Sequence, residues 1–362
     1  MNSTSSNSGA SQAEPCDFER VWAQGGRLYW ALQARAVLLR AIRQYFDRRG
    51  FVEVDPPMLA TSPGLELHLD AMVVHLRAGM AGAAVQRYLV TSPEYHCKRL
   101  LSSGLDQIYS LQHAFRSGER GGHHNPEFMM LEWYRTHRDW RAIVRDVRGL
   151  VRHCARALQT PALQPLRDLP GLRLPVAVDQ PWPVMAVRQA LRRWADLDPG
   201  DATDLPKLVA QAQRAGLDVR PGDTIADILV QALVERVEPQ LVHLPAIVLA
   251  PWPVALASLA RQVPGKPTLA ERFEVYLGGV EVANGFSELT DPHEQRARFE
   301  ADLAARRRLG KPIYPIDERF LAALHRGMPP AGGVALGVDR LLMALTGIAD
   351  IAQVQPFAFE VA

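Results

Sequence analysis

A chain of 362 residues, 48% hydrophobic and 22% charged, is long enough to bury a large core and has an ordinary globular composition. A formal net charge of +2 argues against a broad polycation that would grip nucleic acid through its phosphates alone. Cys16, Cys97 and Cys154 form no paired spacing, which argues against a disulfide framework or zinc cluster and fits a reducing cytoplasm, and no apolar run is long enough to span a bilayer.

Residues 1–25, opening MNSTSSNSGASQAEP, carry no basic-then-apolar leader pattern and read as a disordered tail. Leu28, Leu32, Leu39, Ile42 and Phe46 then recur at helical spacing, predicting an amphipathic helix over 26–49 that Gly50 ends. Residues 51–55 alternate as a strand stopped by Pro56-Pro57. A helix followed by such a strand is scaffold or, equally, a flat surface for a subunit seam. Residues 65–76 read as a further strand, 79–84 as a small-residue loop and 88–90 as a short strand. Thr91-Ser92-Pro93-Glu94 opens a helix, and capping alone would account for Ser92 and Glu94.

Residues 115–135, FRSGERGGHHNPEFMMLEWYR, organise the chain. Strands are expected over 107–115 and 127–135, with Gly118, Gly121 and Gly122 turning the loop between them. An arginine in such a loop can bridge phosphate oxygens with its two-pronged donor; a solvated basic hairpin is the alternative. Helices follow over 140–158, 185–197, 204–216 and 224–237, and the stretch 139–238 reads as a helical insertion. Residues 241–250 read as a buried strand broken by Pro245.

In ERFEVYLGGVEVANGFSEL (271–289), Gly278-Gly279 signals a two-residue hairpin. Tyr276 is then expected opposite Glu281 and Glu274 opposite Ala283, which places Glu274 and Glu281 diagonally on one face, roughly 7–8 Å apart. Two carboxylates at that reach can hold magnesium together with substrate phosphates, or can simply be a solvated pair. Glu288, beyond Asn284 and Phe286, is a good seat for an amine. Residues 294–309 read as a solvent-facing helix. In AGGVALGVDRLLMAL (331–345) a small-residue strand meets a helix at Gly337, and glycines there allow a flat ligand to approach the backbone. Arg340 falls in the first helical turn, where the dipole disfavours a cation, so it calls for a counter-anion: Asp339 or a nucleotide phosphate.

FVEVDPPML, FR…E…HNPEFMMLEWYR and GVALGVDRLLM resemble motifs 1, 2 and 3 of class II aminoacyl-tRNA synthetases, and TSPEYHCKRL, HNPEF, LEWY and ANGFSEL resemble the lysine branch. The likeness runs from about Arg27 to the C-terminus, in the right order. Only about 25 residues precede the first helix, too few for the five-stranded OB-fold with which lysyl-tRNA synthetases read the anticodon. A stand-alone core of this kind is similar to the elongation factor P–(R)-β-lysine ligase family, whose wording SPEYHCKRLL, HNPEFMMLEWYR and RFEVYLGGVEVANGFSELTD matches.

That resemblance implies an α+β fold, an antiparallel sheet flanked by helices, and a homodimer joined through motif 1. It implies that ATP and Mg2+ serve to activate (R)-β-lysine or lysine as an aminoacyl-adenylate, which passes to the ε-amine of a lysine on elongation factor P, with no tRNA expected. The alternative is a truncated lysyl-tRNA synthetase-like enzyme charging tRNA or another carrier. Residue by residue, the resemblance assigns Arg116 to the α-phosphate and carboxylate, Arg340 to the γ-phosphate, and Glu274 and Glu281 to magnesium. Gly337 would lie under the adenosine, with Ser117, Gly118, Glu119, Asn125 and Val282 also at the nucleotide. Ser92 and Glu94 would face the amine near the carboxylate, Glu132, Tyr134 and Glu288 the distal ammonium, while Asn284 and Phe286 shape the pocket. Two departures stand out. Gly118 occupies the place where motif 2 usually carries an adenine-reading Glu, so either Glu119 serves after a one-residue slip or the backbone of Ser117 and Gly118 does. Ala335 stands where lysyl-tRNA synthetases commonly have Gly, and its methyl is expected to disfavour plain α-lysine.

Overall fold

The buried stripe Leu28, Ala31, Ala34, Leu38, Ala41, Ile42, Tyr45 and Phe46 fixes how the first helix lies. In the computed structural model, which describes residues 17–77, 82, 84–170, 172, 176–200 and 204–362, this helix is α1 (Asp17–Asp47). Its torsions leave the helical region at Ala23–Gly26, so the regular part begins where the apolar periodicity does, and Gly50 ends it in the left-handed region at φ 71°. Asp17–Trp22 is helical, while the rest of the expected tail, residues 1–16, lies outside the described residues, as does most of the expected loop 79–84.

Eight strands form the main sheet: β1 (Val52–Glu53), β2 (Gln107–Phe115), β3 (Glu127–Thr136), β4 (Val184–Met185), β5 (Ala246–Leu249), β6 (Arg272–Leu277), β7 (Val280–Ser287) and β8 (Ala331–Gly337). Their spatial order is β1-β2-β3-β8-β7-β6-β5-β4. The six central strands are antiparallel, as expected, and the short edge strands β1 and β4 pair in parallel, so the sheet is mixed at its margins. The fold is α+β.

Phe46 stacks on Tyr109 of β2 at 4.6 Å and leans on Trp133 of β3 at 5.3 Å. This joins α1 to one sheet face, together with α3 (Trp140–Ala157) and the helix 338–346. The opposite face receives Glu94–Leu101, Pro292–Arg308 and Glu318–Gly327, through Tyr95, Phe299 and Phe320. Within 139–238, α3 shares the principal core, whereas Val187–Trp194, Leu205–Arg214 and Ile225–Ala232 build a separate apolar cluster against Ile247, Leu249 and Tyr276.

Four expectations change. Of 51–55 only Val52–Glu53 is strand: the Val54 N–H still donates to the Tyr109 carbonyl at 2.8 Å, but the prolines that follow have no N–H to extend the ladder. Of 65–76 only Val73–Arg77 is strand. The remainder is a loop cradled by Arg306, whose Nη1 donates to the carbonyls of Glu66 at 2.9 Å and Leu69 at 3.1 Å and whose Nη2 pairs with Asp70. The helix Pro292–Arg308 is therefore not simply solvent-facing: Gln295, Phe299, Leu303 and Arg306 are buried. Replacing Arg306 with Met strands these buried acceptors. We expect a loss of about 3–5 kcal/mol, read from denaturant unfolding.

The fourth change is one of register. Tyr276 does face Glu281, but Val275 pairs with Ala283 and Glu274 with Asn284, not Ala283. Val282 is the extra residue of a β-bulge. A one-residue slip reverses which side chains share a face. The bulge thus brings Asn284, Phe286 and Glu288 onto the same side of the sheet as Glu274, Tyr276 and Glu281.

Candidate active site

That side of the sheet forms the floor of a cavity of about 600 Å³. Glu274, Glu281, Val282, Asn284, Phe286 and Glu288 line it from the hairpin, and Gly337 and Arg340 from the start of the last helix. Arg116, Glu119 and Asn125 enter from the loop between β2 and β3, and Ser92, Glu94 and Tyr134 close one end.

At the end near the last helix, Arg340 donates to Glu281 Oε2 at 3.1 Å, to the carbonyls of Glu281 at 3.2 Å and His123 at 3.1 Å, and meets His124 Nε2 at 2.7 Å. Its counter-anion is Glu281 and not Asp339. Asp339 turns the other way, where Arg35 and the Met129 N–H at 2.8 Å hold it. Arg116 rests over the Phe128 ring at 5.1 Å and lies 3.5 Å from Glu119 Oε1. Ser117 and Gly118 do not line the cavity; Ser117 N–H is turned onto the Asp70 carbonyl at 2.7 Å. Of the two candidates for the departed motif 2 position, Glu119 is thus the one facing the cleft. Asn125 also braces the loop, donating to the Glu127 carbonyl at 2.7 Å and accepting from the Phe359 N–H at 3.1 Å.

Burial pushes the Glu274 carboxyl up to about 7, with Arg272 pulling it down and Glu281 pushing it further up. Tyr276 OH and Arg272 donate to it. Two hard oxygen donors that repel one another fit a magnesium ion completed by water and phosphate. Among the described residues no cluster of three or more His, Cys, Asp or Glu makes a cage from protein groups alone.

At the other end Ser92 Oγ accepts from the Glu94 N–H at 3.0 Å and donates to Glu132 Oε1 at 2.5 Å, so it caps and connects at once. Tyr134 OH donates to Glu132 Oε2 at 2.7 Å. Glu132, 1% exposed, therefore stands behind the cavity wall with both oxygens engaged and orients Ser92 and Tyr134. Burial and the nearby Glu94 push its carboxyl up to about 8. Glu288 does line the cavity. Burial pushes it up to about 7, with Lys98 lowering and Glu94 raising it. A carboxyl near 7 loses its charge as pH falls and then no longer attracts an ammonium. Apparent affinity for a diamino acid is therefore expected to weaken below about pH 7 and level off above it, measured as KM against pH.

Several lining groups carried no local sequence signal. His123 and His124 lie inside a recognised motif, where the His123 carbonyl accepts from Arg340 and His124 Nε2 meets it. Glu66 comes from the Arg306-bound loop, and Asp302 from the helix above it. Glu238 follows the π-helical turn Leu233–Val237 and lines the cavity with Tyr276, burial and Glu281 raising its carboxyl. The helical segment 226–238 thus supplies a wall of the cavity.

An antiparallel platform flanked by helices, with one arginine before the loop between β2 and β3 and another at the head of a helix, is the catalytic fold of the class II aminoacyl-tRNA synthetases. A family profile for class II tRNA synthetases (D, K and N) matches residues 18–360. The elongation factor P–(R)-β-lysine ligase of Edwardsiella ictaluri is 38% identical over 332 residues, 91% of this chain and 95% of that protein. Those of Proteus mirabilis and Klebsiella pneumoniae strain 342 are 39% and 37% identical over 328 and 332 residues, covering 90% and 91% of this chain. The chain belongs to the elongation factor P–(R)-β-lysine ligase family, a ligase branch of the class II synthetases.

Proposed function

We propose that this protein activates (R)-β-lysine, or lysine, with ATP and transfers the aminoacyl group to the ε-amine of a lysine on elongation factor P. The observation that carries this reading is the meeting, in one cavity, of Arg116 and Arg340 at one end with Glu94 and Glu288 at the other. The amino-acid carboxylate attacks the α-phosphorus, the bond to pyrophosphate breaks, and the acceptor amine then takes the acyl group and releases AMP. Arg116 offsets charge building at the α-phosphate and aims the carboxylate, and Arg340 takes the far phosphate. Glu274 and Glu281 would hold magnesium, which when bound neutralises phosphate charge. Glu119 reads the adenine edge, with Asn125, Val282 and Gly337 around the nucleotide. Ser92 and Glu94 receive the amine nearest the carboxylate. Glu288 and Tyr134 receive the distal ammonium, backed by Glu132 and bounded by Asn284 and Phe286.

Ala335 lines the cavity opposite Asn284 and Glu132. Ala335→Gly is expected to raise adenylation of α-lysine relative to β-lysine in pyrophosphate exchange; an unchanged ratio removes the role of the methyl. We further propose a homodimer formed by α1 and β1, where Val52 is 49% exposed, acting in the cytoplasm. Among the described residues no helix is long and apolar enough to cross a membrane. The deciding experiment is mass spectrometry of elongation factor P after incubation with the enzyme, ATP, magnesium and each lysine isomer, beside a parallel reaction offering lysine tRNA. One added lysyl unit on the protein is expected. Charging of the tRNA with elongation factor P untouched would overturn the reading.

A further inference from the structure

Lys98 has no exposed surface, yet it lies beside the amino-acid end of the cavity. A buried ammonium is costly unless it is paired and hydrogen-bonded. It sits one turn after Glu94 in the helix Glu94–Leu101, and its Nζ lies 2.5 Å from Glu94 Oε1 and 2.6 Å from Glu288 Oε2. The Glu288 side chain is fully buried and that of Glu94 is 12% exposed. Both carboxylates line the cavity, and Lys98 does not. It stands behind them and leaves Glu288 Oε1 without a protein partner. Glu132 from β3 and Glu66 from the Arg306-bound loop also act on this cluster, and the Phe320 ring closes the far side, 5.9 Å from Nζ.

We propose that Lys98 is a positioning residue for the amino-acid substrate: a built-in counter-ion that bridges Glu94 and Glu288 and sets their spacing, so that the pair receives a diamino acid and disfavours a monoamino one. The identity of that diamino acid rests on the function proposed above. Four acids converge here, and Glu94 already raises the proton affinity of Glu66, Glu132 and Glu288. Burial alone would lower the Lys98 ammonium, but Glu288 and Glu94 outweigh it and hold the group charged. Without that cation Glu288, which Lys98 pulls down, would hold its proton to higher pH, and a neutral carboxyl offers an ammonium little attraction. With it, a monoamino acid of the same length leaves one buried carboxylate unmatched, which is a penalty rather than a lost gain.

The test compares wild type, Lys98→Met and Lys98→Arg in amino-acid-dependent ATP–pyrophosphate exchange from about pH 6 to about pH 9. In Lys98→Met the acid limb of kcat/KM is expected to move up by about one pH unit, so that KM for (R)-β-lysine near pH 7 rises about tenfold while kcat changes less. Lys98→Arg keeps the charge and is expected to return the limb toward wild type. Coincident limbs in wild type and Lys98→Met, with only thermal stability altered, overturn the proposal. A substrate-free measurement runs beside it: infrared spectra of protein carrying 13C-labelled glutamate. More protonated carboxyl in Lys98→Met than in wild type near pH 7 supports the role, and an unchanged carboxyl band overturns it. If wild type exchanges with no lysine isomer, the proposed function fails, while the infrared comparison still decides what Lys98 does.

Discussion

Arg116→Ala is expected to lower amino-acid-dependent pyrophosphate exchange by about 10²–10³-fold, mostly in kcat, with little change in unfolding temperature. The Arg116 backbone is set independently of its side chain, since its N–H donates to the Pro126 carbonyl at 2.9 Å at the neck of the loop. The guanidinium lies over Phe128, which fixes its plane, and its Nε is buried without a protein partner. A donor left unsatisfied inside a cavity is held ready for an acceptor that arrives with substrate. Its contact with Glu119, at 3.5 Å, is long enough to give way to one. Arg116→Lys is expected to recover only a small part of the rate, because an ammonium supplies charge without the planar fork. Single-turnover adenylate formation measures both variants. A rate within about threefold of wild type for Arg116→Ala would remove the arginine from the chemistry.

The second large effect is expected from Gly333→Ala. Gly333 sits in β8 opposite Tyr134 and Phe286, and a Cβ there would collide with Glu288 Oε1 and the Tyr134 ring. The close approach, not the torsion, demands glycine. The tip of Glu288 can swing aside, but the ring cannot, since Tyr134 is 3% exposed and its hydroxyl is tied to Glu132. The methyl should therefore push away the carboxylate that faces the distal ammonium. We expect kcat/KM for the diamino acid to fall about 10²-fold, KM for ATP to stay put, and stability to drop by about 1–3 kcal/mol. Equal losses for both substrates would mean general damage and would sink the explanation.

Much of this was legible in the sequence where local rules act alone. The strand 107–115 is found to the residue, and 127–135 to within one, because alternation and a glycine-rich turn leave no competing pattern. The junction at Gly337 was legible for the same reason. What escaped depends on contacts far apart in the chain. The loop 65–70 alternates like a strand, yet Arg306, about 240 positions on, offers its carbonyls better partners than a ladder would. Asp339 was the near candidate to balance Arg340, but Arg35 on α1 claims it, leaving Glu281 for that task. Glu132 carried the right chemistry, but its place behind Ser92 and Tyr134 is set by how α2 (Glu94–Leu101) seats on β3. No periodicity announces Glu238, because its approach depends on how a separate helical cluster closes against Tyr276.

The bulge at Val282 has a consequence for selectivity. It puts Glu281 and Glu288, the first residue past β7, on one face, their backbones separated by roughly 20 Å of extended chain. On the function proposed above, the phosphate end and the amine end are two marks on a single ruler whose backbone spacing the strand ladder sets. A substrate one methylene too long or too short is then expected to miss a mark, and removing Val282 is expected to turn one mark to the wrong side of the rule.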